Sequence, residues 1–393
     1  MCLTKNRMTE EAVNPDLWPQ PFICRPTRAG PAGKNSNGLN LMQVFVYEFV
    51  TGGGLLSHSE VPHGPLMGEA VAMVTAMAND FVRMTDVRVT LLCDSRLEMP
   101  NVSETKCWKV HQPEEEIRLF QRLAEESDWT VVIAPEFGGV LLERCRIVEA
   151  VGGHLLGPNT KLVEIASDKH VLCRRLTHAG LKVPHGILLG AEQPLPKDFK
   201  YPAVLKPVDG AGSIGIKLIK GRDDLPITES SGRNLRLEEF HNGMAASVAV
   251  LGGPRCRLAL PACRQFVEPS SGFHYRGGEV PIDADRCRRA QTLALEVVDA
   301  LPGSLTGYLG IDMVLGSDVQ GGEDVVIEVN PRLTTSYVGL SRIVNGNLAE
   351  LILDVALSKP GSYSLREENV KFDAQGNVTS PCIERGHAQE VRA

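Results

Sequence analysis

The run DVVIEVNPRLTTSYVGL begins as a buried strand and then breaks its own pattern. Val325, Val326, Ile327 and Val329 suit a sheet core, yet Glu328, Asn330 and Arg332 recur at every second position. Side chains alternate across a strand, so these polar groups share one face. Upstream, GYLGIDMVL holds Asp312 among equally apolar neighbours, and the turn-rich GSDVQGGED joins the two runs. An antiparallel hairpin with Leu315 opposite Val325 sets Asp312 opposite Glu328, with Asn330 on the same face. Facing carboxylates are destabilising in water and worse in a core. A hard divalent cation removes the conflict, and magnesium takes few oxygens from protein and the rest from phosphates and water. Asp312, Glu328 and Asn330 are therefore candidate metal ligands; the alternative is the solvent side of a hairpin. Arg332, at the strand's end, can face that site and stabilise a transferring phosphoryl group or an oxyanion. Thr334, Thr335 and Ser336 are either donors to a small polar substrate or the N-cap of the next helix.

Two further segments belong with this one. In YPAVLKPVDGAGSIGIKLIK a strand ends in Lys206, a loop carries Gly210, Gly212 and Ser213, and a strand resumes. Glycines let backbone N–H groups approach phosphate oxygens, and a lysine adds a point charge. The loop leads into a strand, so it is not a P-loop, and alone it is equally an ordinary hairpin. In LRLEEFHNG, Glu238, Glu239 and Phe240 end a strand. Its backbone can pair with an adenine edge and an acid can hold ribose hydroxyls; unaided, it is a strand with a turn.

Around these segments the chain divides by pattern. Over 41–160, strands at Gln43–Val50, Val87–Leu92, Trp129–Ala134 and His154–Leu156 alternate with helices at Gly68–Met84, Glu114–Ser127 and Leu141–Val151. This implies a parallel sheet covered on both faces, with ligands beyond its C-terminal strand ends, where Gly52–Gly54 and Pro135–Gly139 fall. A helix over Lys161–Ala179 contains Lys169, and meandering strands with few helices then indicate an α+β region. Residues 1–40 and 366–393 lack periodicity and are expected to be a flexible extension and a flexible tail.

Composition narrows the function classes. The chain has 393 residues and 43% hydrophobic content, enough for two or three domains. A net charge of −7 gives no general electrostatic case for nucleic acid or an anionic membrane. No apolar run approaches the roughly 18–20 residues of a membrane span, and the polar start lacks a signal-type apolar stretch, so a cytoplasmic protein is expected. Ten cysteines without a C-x-x-C pair suggest free thiols in a reducing compartment. G-x-S-x-G and H-E-x-x-H are both absent.

Taken in order, the helix with Lys169, the VLKP strand with its glycine loop, EEF-x-x-G and Asp…Glu-x-Asn resemble the ATP-grasp superfamily over about 155–355. The resemblance implies an ATP-grasp fold, α/β plus α+β: a doubly wound α/β domain over 41–160, then an ATP-grasp domain over 161–365 with a small lobe at about 181–240. It implies that Lys169 and Lys206 contact ATP phosphates, or the adenine side for Lys206. Gly210, Gly212 and Ser213 would close over the triphosphate, while Glu238, Glu239 and Phe240 line the adenine–ribose cleft. Asp312, Glu328 and Asn330 would hold Mg2+, with Mn2+ as an alternative. The reaction implied is carboxylate–amine ligation through an acyl phosphate, on small-molecule substrates, in a protein that can be a homodimer.

Within the superfamily, VYEFVTGGG, IAPEFGG, ASDKHVLCRRLTHAGLKVP, FHYRGGEVPID and NPRLTTSYVGL are most similar to the tyramine–glutamate ligase group of methanofuran-type cofactor synthesis. Related peptide ligases carry an arginine two residues before the first metal acid, where this chain has Gly310; Arg264 is the candidate replacement. Glu48 or Glu136 could deprotonate the amine, and Glu48 could instead bind an ammonium group. Two other classes stay open: an ATP-dependent small-molecule kinase and a non-catalytic nucleotide-binding module.

Overall fold

A computed structural model describes residues 41–98, 102–190, 193, 195–210, 212, 214–222, 224, 234–268, 272–359 and 361–379. The extension expected at 1–40, residues 380–393 and Ser213 lie outside the described residues.

The first layer forms as the alternation requires. It contains β1 (Met42–Glu48), α1 (Gly64–Val82), β2 (Val87–Asp94), β3 (Thr105–Val110), α2 (Pro113–Glu126), β4 (Trp129–Ile133) and α3 (Val140–Ala150). The sheet order is β3-β2-β1-β4, parallel throughout. Phe45, Tyr47 and Phe120 fill one side of it and Met73, Met77 and Phe81 the other. Helix α2 begins with Pro113 and places Glu114, Glu115 and Glu116 in its first turn, which suits the positive helix end. The sequence pattern missed β3, because TKCWKV is a largely exposed edge strand with little apolar signal. Cys93 and Cys107 lie on neighbouring strands with Cα atoms 6.2 Å apart, which brings their sulfurs together.

The rest of the chain builds two antiparallel sheets. After β5 (Gly157–Pro158) come α4 (Thr160–Ala166) and α5 (Lys169–His178). The single helix expected here is broken because Asp168 caps the second one, accepting from the backbone N–H of His170 and Val171. Four strands, β6 (Gly186–Leu189), β7 (Ala203–Pro207), β8 (Lys217–Ile219) and β9 (Leu235–Glu239), form a small sheet in the order β6-β9-β7-β8. The large sheet takes β10 (Met244–Gly252), β11 (Arg257–Ala259), β12 (Cys263–Glu268) and β13 (His274–Val280). Helix α6 (Ala284–Ala300) packs Ala290, Ala294, Val297 and Val298 into the core below it. Then follow β14 (Leu305–Leu315), β15 (Val325–Asn330), α7 (Ser336–Ile343), α8 (Leu348–Ala356), β16 (Val370–Asp373) and β17 (Val378–Thr379). The order is β15-β14-β10-β12-β13-β16-β17.

Two features differ from expectation. At the turn end of the hairpin Val314, not Leu315, pairs with Val325, but a bulge between Asp312 and Met313 absorbs one residue and restores Asp312 opposite Glu328. Ile327 is the residue left without a partner in the ladder. The supposed loose tail instead supplies β16, which extends the large sheet beside β13. Phe372 is 4% exposed and lies against Gly278 and Gly339, where an added Cβ would meet its ring at 2.8 and 2.5 Å. Replacing Phe372 with alanine should therefore cost roughly 3–5 kcal/mol in denaturant unfolding; an unchanged midpoint would return this segment to a loose tail.

Candidate active site

The paired hairpin face forms the floor of a cleft of about 380 Å³. Asp312 accepts hydrogen bonds from Asn330 Nδ2 (2.9 Å) and Gln265 Nε2 (3.0 Å). Burial, and then the neighbouring Glu328, push its carboxyl up to about 7. Two acids thus face each other with two amides, Asn330 and Gln265, beside them. Among the described residues no three His, Cys, Asp or Glu side chains converge into a closed cage. That donor set fits magnesium, which would take its remaining oxygens from phosphates and water.

Lysines neutralise part of this charge. Because Asp168 starts α5 at Lys169, the ammonium group reaches Glu328 Oε1 at 2.7 Å and donates to the Gly210 carbonyl at 2.5 Å. Burial opposes the Lys169 charge, but Glu328, Glu136 and Glu238 hold its pKa above the usual lysine value. Lys206 meets Glu238 Oε1 at 2.5 Å, and Arg236 meets Glu238 Oε2 at 3.0 Å. Arg236 also bonds the Pro184 carbonyl and His170 Nδ1, tying β9 to α5. Both Glu238 oxygens are thus engaged in orienting cations. Glu239, at the strand's end, lies 3.3 Å from Lys200 and 3.8 Å from His185. Phe240, Val204, Met313, Val314 and Ile327 give this end of the cleft apolar walls.

The other end is built by the first layer and the segment after β15. Arg332 makes a two-point ion pair with Glu136, at 2.9 and 3.1 Å. Glu136 follows β4, so this pair joins the C-terminal end of the parallel sheet to the hairpin. Next to it, Gly138 N–H donates to Asp209 Oδ2 at 3.0 Å and ties the glycine loop to the same segment. The three expected hydroxyls do not cap α7 through their side chains. Thr334 and Ser336 instead bond each other (2.8 Å) and the Tyr308 hydroxyl, at 2.8 and 3.2 Å. Gly310 is required here, since an added Cβ would lie 2.6 Å from the Thr334 methyl.

Lys206, Gly212, Glu238, Glu239, Phe240, Asp312, Glu328, Asn330, Arg332, Thr334, Thr335 and Ser336 all line the one cleft. Lys169 and Gly210 are not part of its wall; they meet each other behind Glu328, which Lys169 contacts. Arg264 is a correction. Pairing through β10 puts Cys263 in the row of Ser247 and Asp312, so Gln265 and Val267 face the cleft and Arg264 faces away, over the Phe266 ring at 5.4 Å. Glu48 is a second: its Oε2 accepts from the Thr51 N–H and hydroxyl, and it is 4% exposed and not part of the cleft wall. Glu69, Gln265 and Tyr275 line the cleft but were not singled out in the sequence. A lone acid on an amphipathic helix reads as a solvated face.

Comparison with known proteins agrees with this geometry. A family model described as an ATP-grasp domain matches residues 166–336, and one described as a pre ATP-grasp 3 domain matches 87–163. The tyramine–L-glutamate ligase of Methanocaldococcus jannaschii is 26% identical over 315 residues, covering 78% of this chain and 89% of the relative. The D-alanine–D-alanine ligase of Rhizorhabdus wittichii is 35% identical over 123 residues, 28% of this chain and 36% of the relative. A solved ATP-grasp superfamily protein from Archaeoglobus fulgidus superposes with a TM-score of 0.62 at 22% identity, covering 84% of this chain and 92% of that one. The chain thus carries an ATP-grasp domain over residues 166–336, preceded by a pre ATP-grasp domain over 87–163, and is similar to ATP-grasp ligases, the tyramine–L-glutamate ligases among them.

Proposed function

We propose that the chain joins L-glutamate to a small amine such as tyramine, forming an amide through an acyl phosphate with ADP as coproduct. The observation that carries this reading is that the acidic hairpin, Lys206, Arg332 and the Thr334–Ser336 hydroxyls line one continuous cleft. In this reading residues 41–160 are the domain preceding the clasp, and 161–365 clasp the nucleotide. The apolar end around Phe240 takes the adenine. Lys169 and Lys206 meet the phosphates, together with the glycine loop. Asp312, Glu328 and Asn330 hold magnesium or manganese, which when bound supplies neutralisation of phosphate charge.

No protein nucleophile is required; catalysis is positioning and charge stabilisation. The substrate carboxylate attacks the γ-phosphorus, and the amine then displaces phosphate from the acyl carbon. Arg332 is held by Glu136 in a fixed orientation, so its remaining donors are aimed before the reaction and need no reorganisation as the oxyanion develops. Glutamate and tyramine are favoured by the resemblance to the Methanocaldococcus ligases, and Tyr275 in the cleft wall suits an aromatic amine.

Two measurements check this reading. The purified protein with ATP and magnesium should form ADP and a glutamyl-tyramine mass only when both substrates are present. Glu328→Gln should lower that rate by about a thousandfold or more; phosphate left on the acceptor would instead mark a kinase. The second concerns the metal face. Burial first, and then the neighbouring Glu328, raise the Asp312 pKa in the folded protein from the ordinary 3.8 to about 7. Its contribution to stability is thus present in acid and is lost as pH rises through about 7. The metal-free protein should lose stability from pH about 4 to about 7, and Asp312→Asn should flatten that slope while abolishing ligation. An unchanged slope would contradict the charge conflict.

A further inference from the structure

Two cleft carboxylates, Asp312 and Glu69, have no cation within ion-pair distance among the described residues, and Asp312 is held by the Asn330 and Gln265 amides. Glu328 is met by Lys169, Glu136 by Arg332, and Glu238 by Lys206 and Arg236. Glu69 lines the same cleft from α1, yet no lysine, arginine or histidine among the described residues comes within ion-pair distance of it. Arg332 and Thr335 draw on its charge, but burial outweighs them and raises its pKa. Across the cleft stands Tyr275 of β13, close enough for the Glu69 charge to act on its hydroxyl.

The position is built, not incidental. Asp80, about three turns along α1 and so on the same face as Glu69, accepts a 2.6 Å bond from the Tyr337 hydroxyl of α7. The Asp80 carbonyl accepts from Asn347 Nδ2 at 2.6 Å. Those bonds fix the rotation of α1 and aim Glu69 at the cleft. Gln375, in the β16–β17 turn, packs against the adjacent Gly68. A half-buried acid beside the arginine that meets the acyl group is placed for the one cation that the reaction must bring, a protonated alkylamine.

We propose that Glu69 binds the ammonium group of the acceptor amine and takes its proton, releasing the free amine that attacks the acyl phosphate. The inference rests on the ligase reading above. The ammonium proton passes to the Glu69 carboxylate; the nitrogen lone pair forms the C–N bond, the C–O bond to phosphate breaks, and the second nitrogen proton leaves with phosphate to solvent. Glu69 then returns its proton to water.

Hydroxylamine separates this role from a structural one, because its nitrogen is largely unprotonated at neutral pH and needs neither an anchor nor a base. Glu69→Gln, assayed with L-glutamate and ATP–magnesium, should lose amide formation with tyramine by about a hundredfold or more. Hydroxamate formation with hydroxylamine should stay within about threefold of the unaltered protein. Glu69→Asp, which keeps the charge on a shorter arm, should recover part of the tyramine rate. Equal losses with both nucleophiles, an unchanged tyramine rate, or identical Asp and Gln variants would overturn the proposal. If the unaltered protein makes no hydroxamate from L-glutamate or any other common amino acid, the ligase reading itself fails.

Discussion

Two carboxylates facing each other across a sheet are the constraint around which this molecule is arranged. Asp312 and Glu328 sit at directly opposed positions, where like charges oppose folding. The fold answers with a buried lysine on Glu328, two amide donors on Asp312, and a bulge that keeps the pair in register. None of these removes the conflict, and Asp312 stays high in pKa. In the proposed reading a divalent cation arriving with the nucleotide relieves this strain, so stability is given up where binding needs it.

The second joint follows from the first. Arg332 lies two residues beyond Asn330 and could in principle turn to the acids. It is drawn instead to Glu136 at the end of the parallel sheet. This buried two-point pair, the Asp209–Gly138 bond and the Asp80–Tyr337 bond all cross between the first layer and the clasp. They set where a substrate end can exist at all, between α1, β13 and the start of α7. Removing one partner of such a pair would strand a buried charge, so these contacts fix geometry more than they add net stability.

Much of this was legible in the sequence, for stated reasons. The hairpin could be read because acids at period two inside apolar strands leave few pairings, and Lys206, Glu238 and Arg332 follow from strand ends. The bulge could not, since an extra isoleucine leaves the apolar pattern intact. Arg264 was misjudged because which face of β12 looks inward is set by its pairing with β10, which only the sheet order decides. The break before Lys169 hid in an otherwise helical run, although Asp168 is a good cap. Glu69 and the C-terminal strand carry no local signal, as their roles come entirely from what packs against them.

The central claim is that the cleft activates a carboxylate by phosphorylation before an amine arrives. Oxygen-18 transfer tests it most directly: L-glutamate labelled in its carboxylates is turned over with unlabelled ATP and tyramine, and the released phosphate is weighed by mass spectrometry. The account predicts one labelled oxygen in each phosphate formed, because the acyl oxygen leaves with the phosphoryl group. Unlabelled phosphate accompanying amide product would contradict it.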